Sequence, residues 1–392
     1  MQPNETVQDL KKKVQQKTLI PVANQTLSLD RAGKEVLSSG ANTLSSLGIR
    51  HGQMVFLSYT GERPINNDED PKKLRNIKKK WDLKSLMEHL DSQGLVFKAQ
   101  ETTHCKVASL DFASCDKFQQ YPREFAFLKR REGYLYGKYL EDGNVTAEYI
   151  YEPPQEQSPS GTILLDDPAE EKLVDTIANA LGVQKVGWIF TVPPNDERDY
   201  IMSSHEVVRA AQQNAEAIKK YGDAGKSFIA VKVSTDEEGQ VHFEPFQVTD
   251  QAVKLVQNDL LKPPKDPKVV VAKQEVAMAR QGAGRKDSPE LDPDVLIKPV
   301  AVVNHEGPLS CVFEIENRPE HPQNMAALKR HLLQFKGKPF LLAVTDFHFI
   351  RYLGKEFLSP ETDIPALCEA VKTGDSDALE GFKLLIDSIA GF

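Results

Sequence analysis

Residues 185–193 read Lys-Val-Gly-Trp-Ile-Phe-Thr-Val-Pro, and they form the centre of the predicted fold. Branched and aromatic side chains over such a run, ended by a proline, are typical of a buried strand. Before it, apolar residues at helical spacing lead to Gly182, a residue type that ends many helices. After it, a second helical pattern runs from residue 203 to about residue 221. The sequence therefore predicts a buried strand between two helices.

Further elements extend this pattern in both directions. The other predicted strands are residues 133–137, 147–151, 227–233 and 241–248, and the other predicted helices lie at 118–128 and 249–260, with 155–161 as a loop. Because helices and strands alternate, we expect one mixed sheet with helices packed on it. The predicted class is α+β, with a mixed α/β central domain over residues 96–261.

The C-terminal third of the chain has a different composition. Residues 262–294 are rich in proline and charge and predict a flexible insertion with a short strand at 269–271. The glycines at 282–286 lack the Gly-Lys-Ser/Thr ending of a phosphate-binding loop. Residues 295–392 predict an α+β extension packed on the central domain. Its predicted strands are 295–303, 310–315 and 339–344, and its predicted helices are 325–333 and 379–389.

The first 95 residues divide into two parts. In residues 1–60, a helix that begins at Thr6 precedes short strands at 26–29 and 54–58. Residues 61–95 form a charged linker that ends in an amphipathic helix. Its basic half fits three interpretations: a solvated segment, a strip that docks on an acidic protein, or a nuclear-localisation or nucleic-acid contact.

Charge and cysteine content exclude several broad classes. The 392 residues include 49 basic and 57 acidic side chains, which gives a formal net charge of −8. This balance argues against a nucleic-acid binder, because phosphate affinity comes from clustered Lys and Arg. No apolar run approaches the roughly 20 residues that span a bilayer, so we expect no membrane insertion. Four scattered cysteines indicate a reducing compartment, the cytosol or the nucleus.

The N-terminal region carries a recognisable order of residues. Thr-Val at 6–7, Gly-Lys at 33–34, Leu44 and Gly-Ile at 48–49 resemble the ubiquitin-like β-grasp family. In that family a β-hairpin precedes the helix, whereas only five residues precede Thr6 here, so either the chain is N-terminally shortened or the module is incomplete and exposes a strand edge. No Gly-Gly tail follows it. The resemblance therefore implies a docking domain and not a conjugated modifier.

The central domain carries a second set of motifs. Gly-Tyr-Leu-Tyr-Gly at 133–137, Ile-Tyr-Glu-Pro-Pro at 150–154, Val-Gly-Trp-Ile-Phe at 186–190 and Ser-Ser-His-Glu-Val at 203–207 resemble the MPN domain. This is the fold of zinc isopeptidases that cut ubiquitin chains. In catalytic members two histidines and a carboxylate hold Zn²⁺, and a Glu takes the proton of the attacking water.

The metal positions of that family carry other residues here. Phe190 and Val192 occupy the two histidine positions, and neither side chain has a lone pair for a metal. We therefore predict a degenerate site at Phe190, Val192 and Ser204, with no catalytic residue, no metal and no cofactor. Each remaining position of the family motif has two candidates in this sequence. They are Ser203 or Ser204 for the serine, Glu206 or Val207 for the carboxylate, and Glu148 or Glu152 for the base.

The order of modules resembles one family in particular. A ubiquitin-like domain, a linker, a metal-less MPN domain, Glu-Asn-Arg-Pro-Glu at 316–320 and Val-Thr-Asp-Phe-His at 344–348 resemble the nuclear protein localization protein four family. Many members carry zinc modules before the MPN domain. That stretch has only His104, Cys105 and Cys115 here, so the chain resembles the short forms without zinc modules.

The family resemblance implies a non-enzymatic adaptor. Such an adaptor pairs with the ubiquitin-fusion-degradation adaptor and delivers polyubiquitinated proteins to the AAA unfoldase valosin-containing protein, including in endoplasmic-reticulum-associated degradation. It implies a cytoplasmic and nuclear location with recruitment to the reticulum surface. Two alternatives stay open: a structural MPN subunit of a multi-protein assembly, and a divergent zinc isopeptidase.

Overall fold

A computed structural model describes residues 5–18, 20–30, 33–38, 40–49, 54–60, 83–158, 161–194, 198–278 and 286–392. The chain divides into two compact units, residues 1–82 and 83–392, and each is described by itself. No helix in these ranges is both long enough and apolar enough to cross a membrane.

The first unit contains helix α1 (Val7–Thr18) and a two-stranded antiparallel sheet of β1 (Gln25–Ser28) and β2 (Phe56–Tyr59). Thr6 begins the helix, because its hydroxyl accepts a hydrogen bond from the Asp9 N–H, while the Asp9 carboxylate accepts one from the Thr6 N–H. The predicted helix and both strands are confirmed. The basic residues predicted as a linker, 72–80, lie outside the described residues.

One small core holds this unit together. Its buried members come from the helix, from β1 and from the segment between β1 and β2, and they are Val7, Leu10, Leu27, Leu37, Leu44 and Ile49. Leu44 belongs to the residues that carry the ubiquitin-like resemblance, so that resemblance rests on core positions.

The second unit is built on a mixed sheet of eight strands. The sheet has the order β14-β11-β10-β9-β5-β6-β4-β15. Its strands, in chain order, are β4 (Val107–Asp111), β5 (Glu132–Tyr139), β6 (Val145–Tyr151), β9 (Gln184–Thr191), β10 (Ile229–Thr235), β11 (Val241–Val248), β14 (Ile297–Pro299) and β15 (Ala301–His305). The central strand β9 is antiparallel to β5 and parallel to β10. The predicted α+β class with one mixed sheet is confirmed.

Helices surround this sheet. They are α2 (Leu83–Ser92), α3 (Phe112–Glu124), α4 (Pro168–Leu181), α5 (Ser204–Tyr221), α6 (Asp250–Gln257), α7 (Met325–Gln334), α8 (Leu341–Val344), α9 (Phe347–Glu356), α10 (Asp363–Thr373) and α11 (Ser376–Ala390). Helices α5 and α6 share a core cluster with Trp188 and Phe190 of β9. Helices α4, α9, α10 and α11 share another with Tyr136 and Tyr149 of β5 and β6.

Several predicted elements are confirmed by residue. Gly182 ends α4 with a left-handed backbone, at φ 73°, and Ser203 caps α5. Helix α3 is shorter than the predicted 118–128 at its C-terminal end, because Ala126 and Phe127 already have positive φ and turn the chain. Helices α7 and α11 cover the predicted 325–333 and 379–389.

Two predicted irregular segments are hairpins. Residues 155–161, predicted as a loop, include β7 (Gln155–Ser158), which pairs with β8 (Gly161–Leu164). In the predicted flexible insertion, β12 (Val270–Met278) is antiparallel to β13 (Lys286–Leu291) and parallel to the short β3 (Val96–Phe97). Residues 282–285 of the glycine loop lie outside the described residues. Their many polar side chains break the apolar alternation by which a strand is predicted from sequence, and their pairing makes them strands.

Three predicted C-terminal strands need correction. Residues 295–303 begin as a 3₁₀ turn (Pro293–Leu296) and continue as β14 and β15. Residues 310–315 hold only an isolated bridge, between Ser310 and Asp346. The predicted strand at 339–344 is the short helix α8. A brief apolar run fits the period of a strand and the period of a helix equally well, and the strand prediction at 339–344 was therefore wrong.

Candidate functional site

The predicted degenerate site lies where β9 ends. Phe190 is buried and stacks on Trp188, with ring centroids 4.3 Å apart and planes 19° apart. Val192 is buried in the same core cluster. Both side chains therefore fill space between the sheet and α5, and neither offers a ligand atom to Zn²⁺. The residues at this place do not fit a zinc ion.

The start of α5 supplies the polar groups of the site. Ser203 is the N-cap: its hydroxyl accepts from the Glu206 N–H at 3.3 Å, and the Glu206 carboxylate accepts from the Ser203 N–H at 2.8 Å. Arg198 also binds both oxygens of Glu206, at 2.8 and 2.9 Å. The buried Ser204 hydroxyl donates to the Asp266 carbonyl at 2.6 Å. These polar side chains thus form their hydrogen bonds with one another and with the backbone.

Both predicted bases are engaged in other ion pairs. Glu148 pairs with His305 of the edge strand β15, at 3.0 Å. Glu152 is fully buried between Arg131 and Arg318. Burial alone would raise the pKa of Glu152, but the two guanidiniums outweigh it and hold that pKa below its usual range. Both carboxylates are structural partners here.

An open cleft of about 880 Å³ lies over the aromatic pair. It is bounded by the β7–β8 hairpin, by α5 and by residues 264–267. Trp188 and Phe190 line it, and so do the half-exposed side chains Ile163 and His205. We call this space the β9 cleft. Ser203 and Glu206 line it too, whereas Val192 and Ser204 do not, so Phe190 is the residue of the predicted degenerate site that lines the cleft.

A partly buried ion pair in the β9 cleft was not predicted from the sequence. Glu132 at the start of β5 accepts from the Trp188 Nε1–H at 3.0 Å and pairs with Arg209 of α5 at 2.9 Å. The Arg209 guanidinium also lies 5.3 Å from the Trp188 ring centroid, a cation–π contact. Burial raises the pKa of Glu132, and the Arg209 and Trp188 contacts oppose that rise. The sequence feature that could have indicated this pair is Glu132 itself, a charged residue directly before the predicted strand at 133–137.

The three residues that the sequence offers for a zinc module, His104, Cys105 and Cys115, have other surroundings. The His104 ring pairs with Asp250 at 2.7 Å, whereas Cys105 and Cys115 are buried in a core cluster. Burial raises the pKa of Cys105 to about 11. Within the described ranges, no three His, Cys, Asp or Glu side chains are arranged to hold a metal ion.

The fold and the β9 cleft define an α+β protein with a mixed sheet and an open cleft at the end of its central strand. Two family models match the chain: residues 131–281 match the NPL4 family, and residues 1–58 match the model described as nuclear pore localisation protein NPL4.

Relatives extend this match over almost the whole chain. NPL4-like protein 1 of Arabidopsis thaliana is 37% identical over 99% of this chain and 95% of its own length. The NPL4-like protein of Oryza sativa subsp. japonica is 36% identical over 98% and 94%. The nuclear protein localization protein 4 homolog of Dictyostelium discoideum is 32% identical over 77% of this chain and 50% of its own. The chain belongs to the NPL4 family, and the resemblance found in the sequence is confirmed.

Proposed function

We propose that this chain is a non-enzymatic adaptor that binds polyubiquitinated proteins and delivers them to the AAA unfoldase valosin-containing protein for degradation, including endoplasmic-reticulum-associated degradation. Membership of the NPL4 family supports an adaptor role, and so does the order of the modules. The second unit is proposed to be an inactive MPN domain with its C-terminal extension. The first is proposed to be the ubiquitin-like module that docks on a partner.

One observation carries the proposal that the protein binds and does not cleave. The MPN resemblance places two metal-binding histidines at positions 190 and 192, where this chain has a stacked Phe and a buried Val. The cleft above Phe190 stays open, and two of its charged side chains, Glu132 and Arg209, pair with each other. A cleft of this kind can hold an extended protein segment on an aromatic floor without a metal to attack it.

The proposed partners follow from the family resemblance. They are ubiquitin and its chains, valosin-containing protein and the ubiquitin-fusion-degradation adaptor. A cytoplasmic and nuclear location, with recruitment to the reticulum surface, is part of the same proposal. The basic segment at 72–80 is the candidate for docking on an acidic rim of the unfoldase.

The alternative functions make different demands on the same site. A divergent zinc isopeptidase needs three ligand side chains and an open position for water. Phe190 and Val192 argue against it, and so does Glu206, because Arg198 already binds both of its carboxylate oxygens. A structural MPN subunit would pair with a second MPN protein and would not need the ubiquitin-like module.

The test mixes the full chain with lysine-linked ubiquitin chains and added zinc, and follows both retention and cleavage with time. We expect retention without cleavage. Cleavage that a chelator abolishes would contradict the adaptor proposal. A stable complex with another MPN protein, without retention of ubiquitin chains, would favour the structural subunit.

A matched pair of variants tests the β9 cleft itself. Ile163 lines the cleft and is 52% exposed, whereas Leu165 is 41% exposed and does not line it. If the cleft holds part of the bound protein, Ile163→Asp weakens retention about tenfold, the size of a contact that dominates an interface. Leu165→Asp leaves retention unchanged. Equal retention by both variants would place the binding surface outside the cleft.

A further inference from the structure

A serine, a histidine and a glutamate form a chain of hydrogen bonds near the β15 edge of the large sheet. The Ser109 hydroxyl lies 2.9 Å from Nδ1 of His305, and Nε2 of the same ring lies 3.0 Å from the Glu148 carboxylate. The three residues belong to the neighbouring strands β4, β15 and β6. Ser109 is half-buried and the His305 side chain is 24% exposed, so a small molecule can reach both.

The two hydrogen bonds determine which ring nitrogen carries the proton. An ionised carboxylate can only accept, so the neutral His305 ring donates from Nε2 to Glu148. Nδ1 then keeps a lone pair, and the Ser109 hydroxyl donates to it. Nδ1 is thus placed to take the hydroxyl proton, and the Glu148 carboxylate stabilises the charge that the ring gains.

The chain that follows β15 is held close to this cluster. The Gly307 N–H donates to the Asp111 carboxylate at 2.8 Å, and Asp111 is also the N-cap of α3. A Cβ at Gly307 would lie 2.7 Å from Oε2 of Glu148, the oxygen that His305 contacts. A side chain at this position would therefore displace the carboxylate from the ring.

A second serine and histidine in the same sheet provide a matched comparison. Ser234 of β10 and His242 of β11 lie opposite each other in the antiparallel ladder. Ser234 nevertheless donates to Glu244 at 3.1 Å, and His242 pairs with Asp236 at 2.8 Å. Both serines are thus near a histidine, but the ring is a hydrogen-bond partner for Ser109. We expect Ser234 to react as an ordinary alcohol, because no base takes its proton.

We propose that Ser109 is an activated nucleophile that accepts the acyl group of activated esters, with His305 as its general base and Glu148 as the positioning residue that holds the ring. A nucleophile, its base and a third group that orients the base are the parts that such chemistry requires. General-base catalysis contributes about 10²–10⁴-fold. That is sufficient for an ester whose leaving group departs readily, whereas amide cleavage also needs donors for the oxyanion.

This reactivity is separate from the proposed adaptor function. Ser109, His305 and Glu148 do not line the β9 cleft. An isopeptide bond is an amide, so acylation of Ser109 by activated esters leaves the expectation of uncleaved ubiquitin chains unchanged. Either proposal can fail without the other.

The acyl transfer is balanced by the ester and water alone. The Ser109 oxygen attacks the carbonyl carbon of an ester RCO–OAr, and its proton passes to Nδ1 of His305. The C–OAr bond then breaks, and the departing aryloxide takes up that proton, which gives acyl-Ser109 and ArOH. In a second step water attacks the acyl group with His305 again as the base, and RCOOH and free Ser109 result.

The decisive experiment locates the reactive serine with a fluorophosphonate, which forms a stable O–P bond and releases fluoride. The full chain is treated with short pulses, in buffer and in concentrated urea, and each serine is followed by peptide mass spectrometry. We expect native Ser109 to react about 100-fold faster than unfolded Ser109 and than native Ser234. A native Ser109 rate equal to or below either of these rates overturns the proposal.

Variants tested with p-nitrophenyl acetate measure the acyl transfer itself. We expect Ser109→Ala to abolish the part of p-nitrophenolate release that unfolding also abolishes, and His305→Gln to lower it about 100-fold. The matched controls Ser234→Ala and His242→Gln should leave it unchanged. Equal release by the wild type and Ser109→Ala overturns the proposal. Circular dichroism reports folding, and the two serine variants decide the matter if His305→Gln does not fold.

The positioning role of Glu148 has its own readout. Nitrogen-15 NMR of histidine-labelled protein should show the Nε2–H tautomer of His305 in the wild type and loss of that preference in Glu148→Gln. The rate of acyl transfer should fall about tenfold or more in the same variant, because the ring no longer presents a fixed lone pair to the hydroxyl. A purely structural Glu148 would leave the tautomer unchanged, and that result would overturn the proposed arrangement.

Discussion

Glu152 joins two segments of the second unit that are far apart in sequence. Arg131 comes from the approach to β5, and Arg318 comes from the Glu-Asn-Arg-Pro-Glu motif. Both guanidiniums donate to its carboxylate, Arg131 Nε at 2.7 Å and Arg318 Nε at 3.1 Å. The arginine of a motif that identifies the family from sequence therefore neutralises this buried carboxylate.

Removing that carboxylate should destabilise the protein strongly. Glu152→Gln leaves two buried guanidiniums without a counter-charge, and we expect a loss of about 3–5 kcal/mol in the free energy of unfolding. Urea denaturation of the full chain measures it. The control is Glu369→Gln at an exposed pair with Lys372, which should change stability by less than about 0.5 kcal/mol. Similar values for both variants would contradict this account.

The same carboxylate predicts a pH dependence. Its folded-state pKa lies below its unfolded value, so its contribution is complete above about pH 4.3, the ordinary Glu value, and is lost as pH falls through the folded pKa. Wild-type stability should therefore decline below about pH 4 more steeply than that of Glu152→Gln. Unfolding midpoints measured from pH 3 to 7 test the difference between the two slopes. Parallel curves would show that Glu152 is not the titrating group.

At the scale of elements, the glycines of the sequence motifs mark close contacts between strands. Gly137 lies at an irregularity in the β5–β6 ladder, where a Cβ would overlap the Thr146 carbonyl oxygen and come within 2.8 Å of the Ala147 Cα. At Gly187 of β9 a Cβ would lie 2.8 Å from the Ile229 carbonyl oxygen of β10. The motifs thus record where strand backbones approach each other.

A pair of glycine substitutions separates this effect from general backbone entropy. Gly137→Ala should lower the free energy of unfolding by about 2 kcal/mol or more, because the strand backbones must move apart. Gly381→Ala, inside helix α11 with open space around the new Cβ, should raise it by about 0.5–1 kcal/mol. Thermal or urea unfolding of the two variants measures both. A neutral Gly137→Ala would mean that β5 and β6 separate at no cost.

Local pattern was enough for some elements and not for others. β9 is a continuous apolar run ended by a proline, and α5 has a helical period and a cap at Ser203, so the sequence predicted both. β12 continues through Lys273, Gln274 and Glu275, and only its pairing with β13 and β3 makes it a strand. The site divides in the same way. Phe190 and Val192 could be predicted from a motif, whereas Glu132 pairs with Arg209, 77 positions further along the chain.

At the scale of the whole molecule, each unit has its own hydrophobic core. The first unit buries the cluster around Val7 and Leu44, and the second buries three larger clusters around its sheet. A unit with its own core can fold by itself. We therefore expect residues 83–392, produced alone, to unfold cooperatively with a midpoint within about 2 °C of the main transition of the full chain. A fall of about 10 °C or more, measured by calorimetry, would contradict this.

The C-terminal segment is expected to be indispensable to the second unit. β14 and β15, at residues 297–305, form the two edges of the eight-stranded sheet, next to β11 and β4. Helices α9 and α10 pack on α4, and their core cluster covers Tyr136, Tyr149 and Tyr151. Arg318 belongs to the same segment and neutralises Glu152. Removing the segment would thus expose two strand edges and an aromatic face and leave a buried charge half-neutralised.

Two truncations test this dependence. A chain that ends at residue 294 should fail to fold and should aggregate, because unpaired edges and exposed apolar faces favour association. A chain that ends at residue 375 loses α11, which buries Leu379, Ile386 and Ala390 in the core cluster but contributes no strand to the sheet, and should stay folded with reduced stability. Size-exclusion chromatography and circular dichroism distinguish the outcomes. A monomeric, cooperatively unfolding chain that ends at 294 would mean that the central strands form a domain without their edges, and that the segment from 295 onward is an addition to a core already complete.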